Sequence, residues 1–126
     1  MMNIGAHKIL VVDDECSLVQ LCKIILEAAG YTVRTALTGS EALELINEDV
    51  PDIVLLDVMM PGMSGIEVCR RIRQKFSANK PCIFMYTADD SRETYDTSKT
   101  AGADAFITKD TPVFELPTKI NAYLPC

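Results

Sequence analysis

Short runs of apolar and β-branched residues alternate along the chain with longer stretches in which apolar positions recur three and four residues apart. The runs occupy residues 8–12 (KILVV), 31–35 (YTVRT), 52–56 (DIVLL), 82–86 (CIFMY) and 105–108 (AFIT). They predict five strands. Three are continuously apolar instead of alternating, the pattern of strands covered on both faces of a parallel sheet. Between them, Leu18, Leu21, Cys22, Ile25 and Ala29 share one face of a first helix, which Gly30 would close with a left-handed cap. Thr38 with Glu41 and Ser64 with Glu67 fit the capping box and start two more helices. Asp90 with Glu93 offers a similar start for a fourth, ending before Gly102. In the fifth, Pro112 suits a first helical turn, whereas Pro117 would kink or restart the helix.

Five βα units with short connections imply right-handed crossovers and helices on both faces of the sheet, a doubly wound α/β fold. The whole chain, 1–126, is expected to be one domain. At 126 residues and 48% hydrophobic it can bury roughly two thirds of its unfolded surface, enough for one core without staples or a structural metal. Its 18 acidic and 12 basic residues leave a net charge of −6, which argues against nucleic-acid binding. The densest basic group, Arg70, Arg71 and Arg73, is short and interrupted by Ile72. The longest apolar run, residues 82–86, is far too short to span a membrane, and the N-terminus lacks a signal-peptide layout. Five cysteines (Cys16, Cys22, Cys69, Cys82, Cys126) with no CxxC predict a reduced, cytoplasmic chain. His7, without a second His or Cys at ligand spacing, reads as a surface residue.

In doubly wound sheets the functional site lies beyond the carboxyl ends of the strands. Here those ends carry Asp13, Asp14 and Glu15, then Asp57, then Thr87 followed by Asp89 and Asp90, then Lys109 and Asp110. If the first, third, fourth and fifth strands lie side by side, three carboxylates, one hydroxyl and one ammonium converge on one crevice. Two carboxylates about 4 Å apart repel by ~4 kcal/mol at an effective dielectric near 20, so Asp13, Asp14 and Asp57 need compensation. Lys109 supplies one positive charge; a divalent ion would supply the rest. Oxygen-only donors favour Mg²⁺, with Mn²⁺ as a substitute, over zinc or copper. A loop binding phosphate through backbone donors is excluded, because Asp-Asp-Glu would repel an anion. Such a site suits a transferring phosphoryl group: the metal and Lys109 neutralise its oxygens, Thr87 donates a hydrogen bond, and Asp57 attacks phosphorus.

Residues 9–15 (ILVVDDE), 55–65 (LLDVMMPGMSG), 86–88 (YTA) and 101–109 (AGADAFITK) together resemble, in order, the receiver domain of two-component response regulators, including chemotaxis receivers. The resemblance spans nearly the whole chain and implies a flavodoxin-like sheet of order 2-1-3-4-5 with five helices. It implies that Asp57 is the phosphoacceptor for a histidine kinase or histidine phosphotransfer protein. Mg²⁺ would be held by Asp13, Asp14, Asp57 and the Met59 backbone carbonyl. Lys109 and Thr87 would bind the phosphoryl group, and Phe106 would rotate inward behind Thr87, remodelling the face of the fourth helix, fifth strand and fifth helix. Met59 and Asp89 would modulate the lifetime of the phosphoryl group. The resemblance further implies a cytoplasmic signalling protein that catalyses only its own phosphorylation and dephosphorylation, with no membrane or nucleic-acid contact of its own. It would be a monomer or a weak phosphorylation-dependent dimer.

Two features depart from the family pattern. Asp110 follows Lys109 where the family usually has Pro, often across a cis bond; a cis bond before Asp110 would cost roughly 2.5–4 kcal/mol, and the added carboxylate would compete for Lys109. Ala105 replaces the acidic residue common in DNA-binding regulators, and no Arg follows Arg92, which lowers the expectation of their type of dimer. Other readings are a haloacid-dehalogenase-like phosphatase, which would need a second Asp at position 59, and a pseudo-receiver, which would lack a site residue. The chain could also be a receiver excised from a longer DNA-binding regulator or from a hybrid histidine kinase.

Overall fold

The computed structural model describes residues 7–76 and 80–124. The predicted alternation is present: β1 Lys8–Val12, α1 Cys16–Ala28, β2 Thr32–Ala36, α2 Gly39–Glu48, β3 Ile53–Leu56, α3 Gly65–Lys75, β4 Cys82–Thr87, α4 Arg92–Ala101, β5 Ala105–Thr108 and α5 Leu116–Tyr123. A 3₁₀ turn, Val113–Glu115, leads into α5. The strands form one parallel sheet in the order β2-β1-β3-β4-β5, so the doubly wound order expected from the resemblance holds.

Side chains alternate across each strand, and both faces are covered. Ile9, Val11, Ile53, Leu55, Phe84 and Ile107 pack against α1 and α5 through Val19, Cys22, Leu26, Leu116 and Ile120. On the opposite face, Leu10, Val12, Val54, Leu56, Ile83 and Met85 meet Ala42, Ile46, Val68, Cys69 and Ile72 from α2 and α3. Each fully buried Leu or Ile contributes roughly 1.5–3 kcal/mol. Two such layers explain why the central strands are continuously apolar.

The helix starts follow their sequence signals in part. Thr38 accepts from the Glu41 N–H at 3.1 Å, while the Glu41 carboxylate returns to the Leu37 N–H at 2.9 Å. Ser64 caps Glu67, but the Glu67 carboxylate turns outward to Arg70 and Arg71 instead of back to the cap. The α4 cap is Ser91, not Asp90. Gly30 (φ 104°) and Gly102 (φ 111°) adopt the expected left-handed conformation after α1 and α4. Pro117 falls in the first turn of α5, where its missing N–H costs nothing, so the helix restarts there.

Two expectations, on the face of α1 and on the cysteines, are corrected. The buried face of α1 is Val19, Cys22 and Leu26, while Leu21 is 45% exposed; several apolar residues on one helix leave the facing stripe ambiguous by about one position. The Lys109–Asp110 bond, for which the sequence leaves trans or strain open, is trans, the one cis peptide among the described residues being Lys80–Pro81. Cys16, Cys22 and Cys69 are free thiols, but Cys82 is disulfide-bonded, against the expectation of a wholly reduced chain; local spacing carries no information on long-range pairing. Cys126 lies outside the described residues.

Candidate functional site

Strand register brings the acidic residues together. Val12 pairs with Leu56, so Asp13 and Asp57, one residue further on, emerge side by side. The Asp57 N–H donates to the Val12 carbonyl at 3.0 Å and the Asp13 N–H to the Ala36 carbonyl at 3.2 Å. Thr87 pairs with Thr108, and the Lys109 N–H donates to the Thr87 carbonyl at 2.9 Å, placing Lys109 over the same end of the sheet.

Asp13 and Asp57 are 3% and 4% exposed, whereas Asp14 faces solvent. One carboxylate oxygen from each of the three lies within 4.8 Å of the others. Lys109 Nζ lies 2.7 Å from Asp13 Oδ2 and 3.5 Å from Asp57 Oδ2. The other Asp13 oxygen accepts from the Glu15 N–H at 3.0 Å. Burial, and then the neighbouring Asp13 charge, hold the Asp57 carboxyl above its ordinary value against the opposing pull of Lys109 and the Met59 backbone N–H. Burial alone would lower the Lys109 ammonium, but its hydrogen bond to Asp13 and the two carboxylate charges outweigh burial and raise it. One cation is thus shared between two buried anions, with an exposed third beside them. The donor set is all oxygen, which fits a hard divalent cation and gives zinc or copper none of their preferred nitrogen or sulfur ligands.

The remaining predicted residues border this cluster without joining it. Thr87 is fully buried, and its hydroxyl accepts from the Asp89 N–H at 3.3 Å. The Asp89 carboxylate is turned away from the acidic group: it accepts from the Thr94 hydroxyl at 2.6 Å and the Ser91 N–H at 3.0 Å. Those two bonds, the Thr94 one foremost, depress its pKa. Phe106 is half-buried and meets the Tyr95 ring edge-on, with centroids 5.5 Å apart. The Met59 side chain is 61% exposed. Asp110 does not compete for Lys109. Its carboxylate takes the Thr108 hydroxyl, because two residues along a turn is within easy reach of a short side chain.

Two supporting residues are less legible in the sequence. Gly65 begins α3 against the phosphoacceptor candidate itself: a Cβ there would lie 2.0 Å from the Asp57 carbonyl oxygen and 2.8 Å from its carbon. Only glycine allows that approach. Gly62, by contrast, is required by its φ of 76° and has open space around it. Thr94 anchors Asp89, and nothing in its spacing distinguishes it from an ordinary helical threonine.

Fold and site together define a doubly wound α/β domain with a group of three carboxylates, two of them buried, and a lysine paired with both buried ones at the strand ends. A family model, the response regulator receiver domain, matches residues 9–121. The response regulator protein TrrA of Thermotoga maritima, solved in complex with Mg²⁺-BeF, is 39% identical, with 92% of this chain and 97% of that one covered and a TM-score of 0.81. The Vibrio cholerae chemotaxis protein CheY4 is 32% identical over 94% of this chain and 98% of that one, with a TM-score of 0.88. A CheY-like receiver domain protein of Methanospirillum hungatei is 33% identical over 92% and 91%, with a TM-score of 0.85. The chain belongs to the response regulator receiver domain family of two-component systems. Receiver domains are signalling modules rather than metabolic enzymes. No helix among the described residues is long and apolar enough to cross a membrane.

Proposed function

We propose that Asp57 is a phosphoacceptor, and that the chain takes its phosphoryl group from a histidine kinase or histidine phosphotransfer protein and changes its output face in response. The observation that carries this reading is the pairing of a 4%-exposed Asp57 with Lys109 at 3.5 Å, inside a group of three carboxylates. A buried carboxylate with a cation beside it is a nucleophile whose charge is only partly neutralised.

In the transfer, an Asp57 carboxylate oxygen attacks phosphorus while the bond from phosphorus to the donor breaks. The donor's imidazole nitrogen, or the acetate oxygen of acetyl phosphate, leaves with the electron pair, and a mixed carboxylic–phosphoric anhydride forms on Asp57. Lys109 moves its ammonium toward the incoming oxygens, and the Thr87 hydroxyl, whose oxygen already accepts from the Asp89 N–H, donates its proton to one of them. Asp13, Asp14, Asp57 and the Met59 carbonyl would hold Mg²⁺ or Mn²⁺, which neutralises charge on the transferring group. Added phosphoryl charge of about −1.5 to −2 then alters the region around Thr87 and Phe106. Met59 and Asp89 border the site and tune how long the anhydride survives. The domain itself binds neither nucleic acid nor membrane, works in the cytoplasm, and is a monomer or a weak phosphorylation-dependent dimer.

Incubation with Mg²⁺ and acetyl phosphate should add the mass of one phosphoryl group, stable to acid and labile to base. Phosphate uptake by Asp57→Asn equal to that of the unaltered chain would overturn the assignment. Sustained turnover of a phosphate monoester would instead indicate a phosphatase.

A further inference from the structure

We infer that Tyr86 is a positioning residue for Lys109: its ring supports the ammonium, and its hydroxyl ties down the loop that carries it. The inference rests on the reading of Asp57 as phosphoacceptor and extends it to a residue outside the acidic group. Tyr86 is the one side chain in the run CIFMY with a polar tip apart from the terminal Cys82, and it is only 3% exposed. A buried phenol needs a partner for its O–H. It finds one in the Thr111 carbonyl, 3.4 Å away, two residues beyond Lys109. The same ring lies under Lys109, with Nζ 5.9 Å from the ring centroid. Lys109 is therefore held from three sides: its backbone by Thr87, its charge by Asp13 and Asp57, and its approach by an aromatic face.

The three supports differ in what they ask of the lysine. Carboxylates fix the ammonium at hydrogen-bond distance and compete for it. The ring attracts it over a broad surface with little directional demand, so Lys109 can shift from Asp13 toward oxygens developing on Asp57 without leaving its support. An aliphatic side chain would fill the space but would neither attract the ammonium nor hold Thr111.

Two substitutions separate the ring from the hydroxyl. With Mg²⁺ and acetyl phosphate, Tyr86→Leu should phosphorylate about three- to ten-fold more slowly than the unaltered chain, the range expected of a partly desolvated cation–π contact. Tyr86→Phe keeps the ring and should recover most of that loss. A second readout needs no activity: ring current should shift the Lys109 ε-methylene proton resonances upfield in the unaltered chain and in Tyr86→Phe, and not in Tyr86→Leu. Lys109 ε-protons at their unstructured position in the folded, unaltered chain would overturn the inference, whether or not Tyr86→Leu folds. So would a Tyr86→Leu rate equal to the unaltered one, or a Tyr86→Phe loss as large as that of Tyr86→Leu. Asp57→Asn, run alongside, distinguishes the two levels: phosphate uptake by that variant removes the phosphoacceptor reading itself, whereas its absence leaves that reading standing whatever Tyr86 does.

Discussion

Replacing Asp57 by Asn removes a buried charge while nearly keeping the shape of the side chain, and the geometry indicates what this does to stability without any divalent cation. Asp57 lies with Asp13 inside the 4.8 Å group and 3.5 Å from Lys109. At an effective dielectric near 20, a like charge no more than 4.8 Å away costs at least about 3.5 kcal/mol and the ammonium at 3.5 Å returns about 4.7 kcal/mol. Asp14 adds repulsion, weakened by its exposure. Removing a carboxylate from water adds several kcal/mol. The balance falls against the ionised form, in line with the raised Asp57 value. Lys109 keeps Asp13 at 2.7 Å in the variant, so no buried cation is orphaned. We expect Asp57→Asn in EDTA at neutral pH to be more stable by about 1–2 kcal/mol, or about 4–8 °C in Tm. The pH dependence has a fixed sign. Since the folded-state pKa lies above the unfolded one, the penalty is absent where both states are protonated. It grows as pH rises from the ordinary carboxylate range to the folded-state value, and is constant beyond it. The advantage of the variant should shrink as pH falls toward about 4. At ten times its dissociation constant, Mg²⁺ should stabilise the unaltered chain by about 1.4 kcal/mol and the variant by less than half of that. The chain has no Trp, so urea denaturation followed by far-UV circular dichroism is the suitable assay. A variant less stable by more than about 1 kcal/mol in EDTA, or a difference that does not change with pH, would refute the reasoning.

Arg73→Ala should destabilise the fold by about 2–4 kcal/mol in urea titration, with phosphorylation kinetics unchanged. The Arg73 guanidinium donates to the Gly102 and Pro81 carbonyls and to Asp104 at 2.6–2.9 Å, and all four groups lie at the sheet end opposite the site. Gly65→Ala should cost about 2–4 kcal/mol and also abolish Mg²⁺-induced stabilisation, because its Cβ meets the Asp57 backbone instead of a movable side chain. Thr94→Val removes the hydroxyl donor to Asp89; in an NMR titration Asp89 should then protonate at higher pH than in the unaltered chain, and amides in the first turn of α4 should exchange faster.

Much of this site could be read from the sequence, for a simple reason. A parallel sheet with short connections puts every strand's carboxyl end at one edge, and with the strand order that the family resemblance implies, Asp13, Asp57, Thr87 and Lys109 come together there. What each side chain does on arrival is another matter. Asp89 and Asp110 satisfy local donors, at Thr94 and Thr108, because a short carboxylate reaches the nearest hydroxyl before it reaches across a crevice. The Glu67 half of a capping box is lost in the same way, to two arginines one turn away. Periodicity placed α1 but misjudged its buried stripe, since Leu21 and Ile24 are apolar and exposed. Gly65 stands in the same short β3–α3 connection as Asp57, but which backbone atoms it meets there, like the disulfide at Cys82, depends on how the chain turns, which spacing does not encode.

The sequence-level excess of acid acquires a different meaning once the hydrogen bonds are traced. Two polar chains leave the carboxyl edge of the sheet. One runs from Asp57 through Lys109 and the Tyr86 ring to Thr111 and the entry to α5; the other runs from Thr87 through Asp89 to Thr94 and the first turn of α4. Both begin at residues that a phosphoryl group on Asp57 would engage, and each ends at the start of a helix flanking β5. Lys109 divides its attraction between Asp13 and Asp57, and Thr87 spends its oxygen as an acceptor, so neither is fully committed before transfer. New anionic oxygens on Asp57 would draw both toward one point. That pulls on the Asp89–Thr87 bond and on the Tyr86–Thr111 brace, which lead to the first turn of α4 and the entry to α5. A further negative charge on Asp57 therefore acts first on polar contacts at the sheet edge, above the two apolar layers.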